Sequence, residues 1–137
     1  MSVLEFNGYR IAKMSYQRNE DYHSTTNQIT LSPKPQTVID LAGNEIKVSL
    51  TITVGSLKDK TVPFEVACTI VGSFTYQPDE DGNQVGLDKL VRNNAVAILY
   101  PYARAMIATL TANSGEFPSY NLPTINVGQW LSEQTND

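Results

Sequence analysis

The sequence predicts an α+β domain, with a sheet-forming part over residues 1–77 and a helical part over residues 78–137 of one 137-residue unit. Three observations carry that prediction. Ile46, Val48, Leu50, Ile52 and Val54 alternate with Lys47, Ser49, Thr51 and Thr53, the period-two pattern of a strand with one wet face. The alternation resumes at Val62, Phe64, Val66, Cys68, Ile70, Gly72, Phe74 and Tyr76 after a connection too short for a parallel crossover, so the pair forms a long antiparallel hairpin. Beyond the turn cluster Pro78-Asp79-Glu80-Asp81-Gly82-Asn83, helical periodicity takes over.

The elements follow in order. Leu4 to Tyr16 is strand-like, but its apolar register moves from Leu4 and Phe6 to Tyr9 and Ile11 and then to Met14 and Tyr16. Such slips predict bulges, one of them at Asn7-Gly8. A polar loop spans Asn19 to Gln28, and Ile29 to Leu31 reads as a short strand before Pro33 and Pro35 interrupt pairing. Thr37 to Leu41 adds a further strand, ended by the turn Ala42-Gly43-Asn44.

In the helical part, Asp88 is a suitable N-cap for a helix reaching Asn113, where Ser114-Gly115 gives a stop signal. Between Ala95 and Ala112 its only charged residue is Arg104, so it is apolar nearly all the way round and needs cover on more than one side. The sheet covers one side. A second, short helix over Val127 to Glu133, opened by the capping pair Asn126 and Gln129, offers only the narrow stripe of Val127, Trp130 and Leu131. The remaining cover is expected from a copy of the same chain, which makes the protein a homo-oligomer.

Composition narrows the function. Hydrophobic residues make up 41% and charged residues 18%, a globular balance rather than a disordered one. The net charge is −4 and the basic residues are scattered from Arg10 to Arg104, which argues against nucleic acid or an acidic membrane as partner. The lone Cys68 excludes an internal disulfide and fits a reducing compartment. The start Met-Ser-Val-Leu-Glu-Phe-Asn-Gly lacks a signal-peptide pattern, and the apolar stretch from Ala95 to Leu110, interrupted by Pro101 and Arg104, falls short of the roughly 20 residues that span a bilayer. A cytoplasmic protein without membrane insertion is expected.

No residue set points to catalysis. Asp79 to Asn83 resembles the start of a calcium loop, but Leu90 occupies the twelfth position, where a bidentate Glu is required. His23 is the only histidine and lies in a polar loop, so no metal site is expected. Cys68 falls on the apolar phase of its strand and reads as an inert core thiol. Without a GxSxG, P-loop or GxGxxG motif, the chain reads as a non-enzyme without cofactors. The unusual segment is Ser114 to Asn126. There Phe117, Tyr120, Leu122 and Ile125 alternate with Pro118, Asn121 and Pro123, and the prolines keep it extended. Its apolar groups either cap the local core or form a binding surface.

Residues Leu99, Tyr100, Pro101, Tyr102, Ala103 and Arg104, followed by Gly115, Phe117, Pro118, Asn121 and Leu122, resemble the paired signature of the SecB family of protein-export chaperones. Phe6, Arg10 and Ile11 match that family's first strand more weakly. The resemblance implies a four-stranded antiparallel sheet with a long and a short helix packed on one face. It further implies a homotetramer, a dimer of dimers, with the long helices between sheets and with Leu99, Tyr102 and Met106 at the oligomer interface.

The resemblance also implies an ATP-independent holdase for unfolded polypeptides. Its peptide groove would have Tyr22 on one wall and Phe117, Tyr120, Leu122 and Ile125 on the other, with Trp130 nearby. The acidic surface on which the family docks the motor SecA is replaced here by Ser15, Asn19 and Ala67, with Glu65 a partial substitute. The acidic tail is reduced to Glu133-Gln134-Thr135-Asn136-Asp137. Protection of an antitoxin therefore competes with SecA-linked export, and an adaptor binding one folded partner is the alternative from another class.

Overall fold

The computed structural model describes residues 4–23, 29–77 and 91–124. Four strands, β1 (Leu4–Arg18), β2 (Pro33–Ala42), β3 (Glu45–Gly55) and β4 (Phe64–Tyr76), form one antiparallel sheet in the order β1-β4-β3-β2. One π-helical turn, Val91–Ala95, leads directly into α1, Val96–Ala112. The hairpin expected from the two alternating runs is β3–β4, with Leu50 opposite Ile70 and Val54 opposite Val66.

The slipping register of β1 resolves into two irregularities, between Phe6 and Gly8 and between Ile11 and Lys13. Each extra residue returns the next apolar pair to the helix-facing side. Phe6, Tyr9, Ile11, Met14 and Tyr16 thus meet Phe74, Gly72, Ile70, Cys68 and Val66 in turn.

Two expectations need correction at β2. Ile29 to Leu31 forms no strand, and Pro33 and Pro35 lie inside β2, opposite Val54 and Ile52. The reason is position. β2 is an edge strand, and residues two apart share an orientation, so both prolines can turn their missing N–H groups to the unpaired side.

The helix crosses the face made by the even-numbered residues of β3 and β4. Its buried stripe is Val91, Ala95, Val96, Leu99, Tyr100, Ala103, Ile107 and Thr111. Gly72 lets it approach, because a Cβ there would lie 2.8 Å from Leu99 Cδ2 and 2.8 Å from Phe74 Cε1. Beside this stripe, Ile98, Tyr102, Met106 and Leu110 are half-buried, and Tyr9 of β1 stacks on Tyr102 at 4.2 Å between ring centroids. Ala97, Pro101, Arg104 and Ala105 face outward.

Continuous from Val91 to Ala112, the helix has 22 residues and contains an 18-residue window of mean hydropathy 1.3, so by length and composition alone it could cross a bilayer, contrary to the shorter stretch read from the sequence. Packing against the sheet buries 39% of that window. Asp88, the Asp79–Asn83 run, Val127–Glu133, Ile125 and Trp130 lie outside the described residues.

Candidate functional site: a furrow between a turn and a strap

At one end of the sheet, the turn after β1 and the strap after α1 meet. The turn, Asn19 to His23, is fixed by Asn19, which is 3% exposed. Its amide N–H donates to the Pro63 carbonyl at 2.8 Å. Its Nδ2 donates to the carbonyls of Asp59 at 3.0 Å and Val62 at 2.9 Å, and its Oδ1 accepts from the Asp21 N–H at 3.1 Å. The His23 N–H adds a bond to the Lys60 carbonyl at 2.7 Å. These bonds stitch the turn to the β3–β4 connection. That connection is itself shaped by Asp59, whose carboxylate accepts from the Thr61 hydroxyl at 2.7 Å and the Thr61 N–H at 2.9 Å. The Thr61 hydroxyl and, behind it, the Thr61 amide hold the Asp59 carboxyl below its ordinary value.

The strap, residues 113–124, runs back along the helix. Ser114 Oγ accepts from the N–H groups of Glu116 at 3.2 Å and Phe117 at 3.0 Å. Farther on, the Tyr120 N–H donates to Thr111 Oγ1 at 2.7 Å, and the Tyr100 hydroxyl donates to the Pro123 carbonyl. Leu122 is 0% exposed and plugs the core, so it anchors the strap rather than lining its surface. A shallow hollow of about 350 Å³, lined by Tyr100, Pro101, Arg104, Ala105, Ala108 and Asn121, opens on the helix side of the strap.

Aromatic rings join the two walls. Tyr16 lies 5.3 Å from Phe64, Phe64 lies 5.6 Å from Phe117, and Phe117 meets Tyr22 edge-on at 6.3 Å. Tyr22, Phe117 and Tyr120 are all half-buried, combining apolar area with access to solvent. Arg18 then spans the walls, with its Nε 2.6 Å from Glu116 Oε1, its Nη2 3.3 Å from Glu116 Oε2 and its Nη1 3.3 Å from Glu20 Oε2. The Glu116 carboxylate raises the affinity of the guanidinium for its proton.

Tyr22 and Phe117, expected on opposite walls of a groove, thus meet edge to face. Tyr16, Phe64, Asn19 and the Arg18–Glu116 pair were not anticipated as parts of the site. Only Tyr16 and Phe64 carried a sequence signal, their places on the apolar phases of β1 and β4. Asn19 also corrects the reading that set it on the exposed sheet surface, since it is buried under the β3–β4 connection. Ser15 and Ala67 do stand opposite one another on the face away from the helix, with Gln17 and Glu65 as the next pair. Leu99 belongs to the subunit's own core, whereas Tyr102 and Met106 reach its margin. Cys68 is fully buried, and burial pushes its thiol up to about 11. Among the described residues no group of three or more His, Cys, Asp or Glu is placed to hold a metal ion.

Comparison with known proteins decides the family. A family model described as preprotein translocase subunit SecB matches residues 15–137. The chain belongs to the SecB family. An uncharacterized protein of Methanocaldococcus jannaschii is 32% identical over 137 residues, covering 95% of this chain and 83% of the relative. The SecB protein-export protein of Legionella pneumophila is 32% identical over 101 residues, 74% of this chain and 60% of the relative. That of Anaplasma phagocytophilum is 30% identical over 88 residues, 64% of this chain and 55% of the relative. The chain thus spans little more than half the length of these two export proteins.

Among solved structures, a SecB-like chaperone of Mycobacterium tuberculosis in complex with an antitoxin peptide has the same fold. The TM-score is 0.69 at 14% identity, covering 89% of this chain and 90% of that one. A protein of unknown function from Streptococcus agalactiae matches more loosely, with a TM-score of 0.52 at 10% identity over 88% of this chain and 97% of that one.

Proposed function

We propose that this SecB-family chain is an ATP-independent holdase that takes extended, non-native polypeptide into the furrow between the Asn19–His23 turn and the strap. The carrying observation is the Tyr22–Phe117 contact, which brings half-buried rings from two loops together above the Phe64 ring. Such a site binds by apolar burial alone and asks no chemistry of its ligand. Tyr120 extends the same wall, with Ile125 and Trp130 as its proposed continuation and Leu122 beneath it as anchor. The protein acts in the cytoplasm as a homotetramer, with Tyr102 and Met106 at the subunit contact and Leu99 supporting them from inside.

Between the two client classes, dedicated protection of an antitoxin is favoured. The outer sheet face carries Ser15, Ala67, Thr53, Thr51 and Thr69 beside Glu65, and its other acids, Glu5, Glu45 and Asp40, are interspersed with Arg10, Lys13, Lys34 and Lys47, a weak surface for a partner that docks on clustered acids. The fold shared with the antitoxin-binding chaperone of M. tuberculosis supports the same choice.

The test is suppression of aggregation of a slow-folding client at stoichiometric chaperone. The parent should suppress it. Tyr22→Ala/Phe117→Ala should lose at least about two-thirds of the effect, as removing paired aromatic anchors does elsewhere, while its helical circular dichroism is retained. No suppression by the parent, together with co-purification of one folded partner at fixed stoichiometry, would favour the adaptor reading instead.

A further inference from the structure

The strap is anchored unevenly. From Tyr120 onward it is tied to the helix by the Thr111 hydroxyl, the Tyr100 hydroxyl and the buried Leu122. Residues 115–119, between those anchors and the Ser114 turn, are exposed apart from Phe117. They begin at Gly115, whose φ of 80° lies in the left-handed region and gives the chain a pivot. Outside the Ser114 turn, three interactions among the described residues hold this flap down: the Phe117 ring against Phe64 and against Tyr22, and the fork of Arg18 on Glu116. Phe64 beneath is 2% exposed, so the flap covers an apolar floor that continues to Tyr16.

We infer that the Arg18–Glu116 ion pair is a latch that holds the 115–119 flap over the Phe64–Tyr16 floor, and that peptide enters the deep part of the furrow when the latch opens. Arg18 and Glu116 are thus positioning residues: they touch the flap and each other, not the ligand. Their side chains are 39% and 43% exposed, so water and salt reach the pair and weaken it, as a latch that opens requires. A lysine would not replace Arg18, because the contact uses Nε and Nη2 together on both carboxylate oxygens. Glu20, on the third guanidinium nitrogen, keeps the arginine aimed at the strap. The inference deepens the holdase reading and rests on it for its ligand.

Two measurements test it, one without any ligand. In the intact protein, amide hydrogen exchange at Glu116 and Phe117 should speed up about two- to fivefold in Arg18→Gln and in Glu116→Gln. Exchange at Tyr120, beyond the anchors, should be unmoved. The reversed pair Arg18→Glu/Glu116→Arg should restore protection at least in part. With a fluorescein-labelled extended peptide of alternating leucine or phenylalanine and serine as probe, association with the parent should accelerate with added sodium chloride. Arg18→Gln/Glu116→Gln should associate fast at every salt concentration. Unchanged exchange at Phe117 in both single variants, or no recovery in the reversed pair, overturns the latch. If exchange behaves as stated but the probe and aggregating clients fail to bind the parent, the holdase reading falls and the latch stands.

Discussion

The two walls of the furrow use similar residues and are held by different forces. The Asn19–His23 turn depends on a buried amide that makes short bonds to three backbone carbonyls or amides of neighbouring segments, in surroundings where an unmade bond is costly. The facing flap of the strap depends on the aromatic contacts of Phe117 and an ion pair open to water. One wall is therefore part of the rigid sheet, and the other is free to adjust. That asymmetry suits a site whose ligands differ in sequence but share an extended backbone, since one side sets direction and the other accommodates bulk.

The comparison can be broken most severely from below. Leu99 fills the space over Gly72 and supports the helix from which the strap hangs. Leu99→Ala should lower unfolding free energy by about 2 to 5 kcal/mol and loosen both walls together, measured by denaturant titration.

A smaller effect tests how dry the shared core is. Cys68 has its thiol raised from the ordinary 9.0 to about 11 by burial. Below pH 9 both folded and unfolded chains keep the proton. Between pH 9 and 11 the unfolded chain releases it first, so the folded state loses up to roughly 3 kcal/mol relative to Cys68→Val over that window. At pH 8 a thiol reagent should modify Cys68 no faster than the protein unfolds.

The smallest effect sharpens the contrast itself. Asn19→Ala strands the carbonyls of Asp59 and Val62 and should cost on the order of 2 kcal/mol. Exchange should rise at the Tyr22 and His23 amides, while Phe117 and Glu116 keep their parental rates.

Much of the fold was legible because the central strands and the helix bury one face completely, and that leaves a periodic mark. Ile46 to Val54 alternates without a fault, and the nearly uninterrupted apolar run from Ala95 to Ala112 predicts the helix. β2 escaped for the opposite reason: an edge strand can accept prolines, so Pro33 and Pro35 read as breaks where pairing continues. In the site, Tyr22 and Phe117 were reached through a family signature, but the residues that organise it were not. Arg18 and Glu116 lie 98 positions apart, and nothing in the spacing of either marks the other as its partner. Asn19, polar and in a polar stretch, looks like solvent-facing loop until the β3–β4 connection folds over it.

The prolines of β2 bear on what such a protein must avoid. A surface that handles unfolded chains meets many exposed backbones, each able to extend a sheet by hydrogen bonding along a bare margin. Pro33 and Pro35 have no N–H to offer, so the first residues of this edge strand make a poorer template for a passing chain. In the proposed holdase, side chains rather than ladder bonds would do the holding at this edge, and side chains let go more readily than a growing sheet.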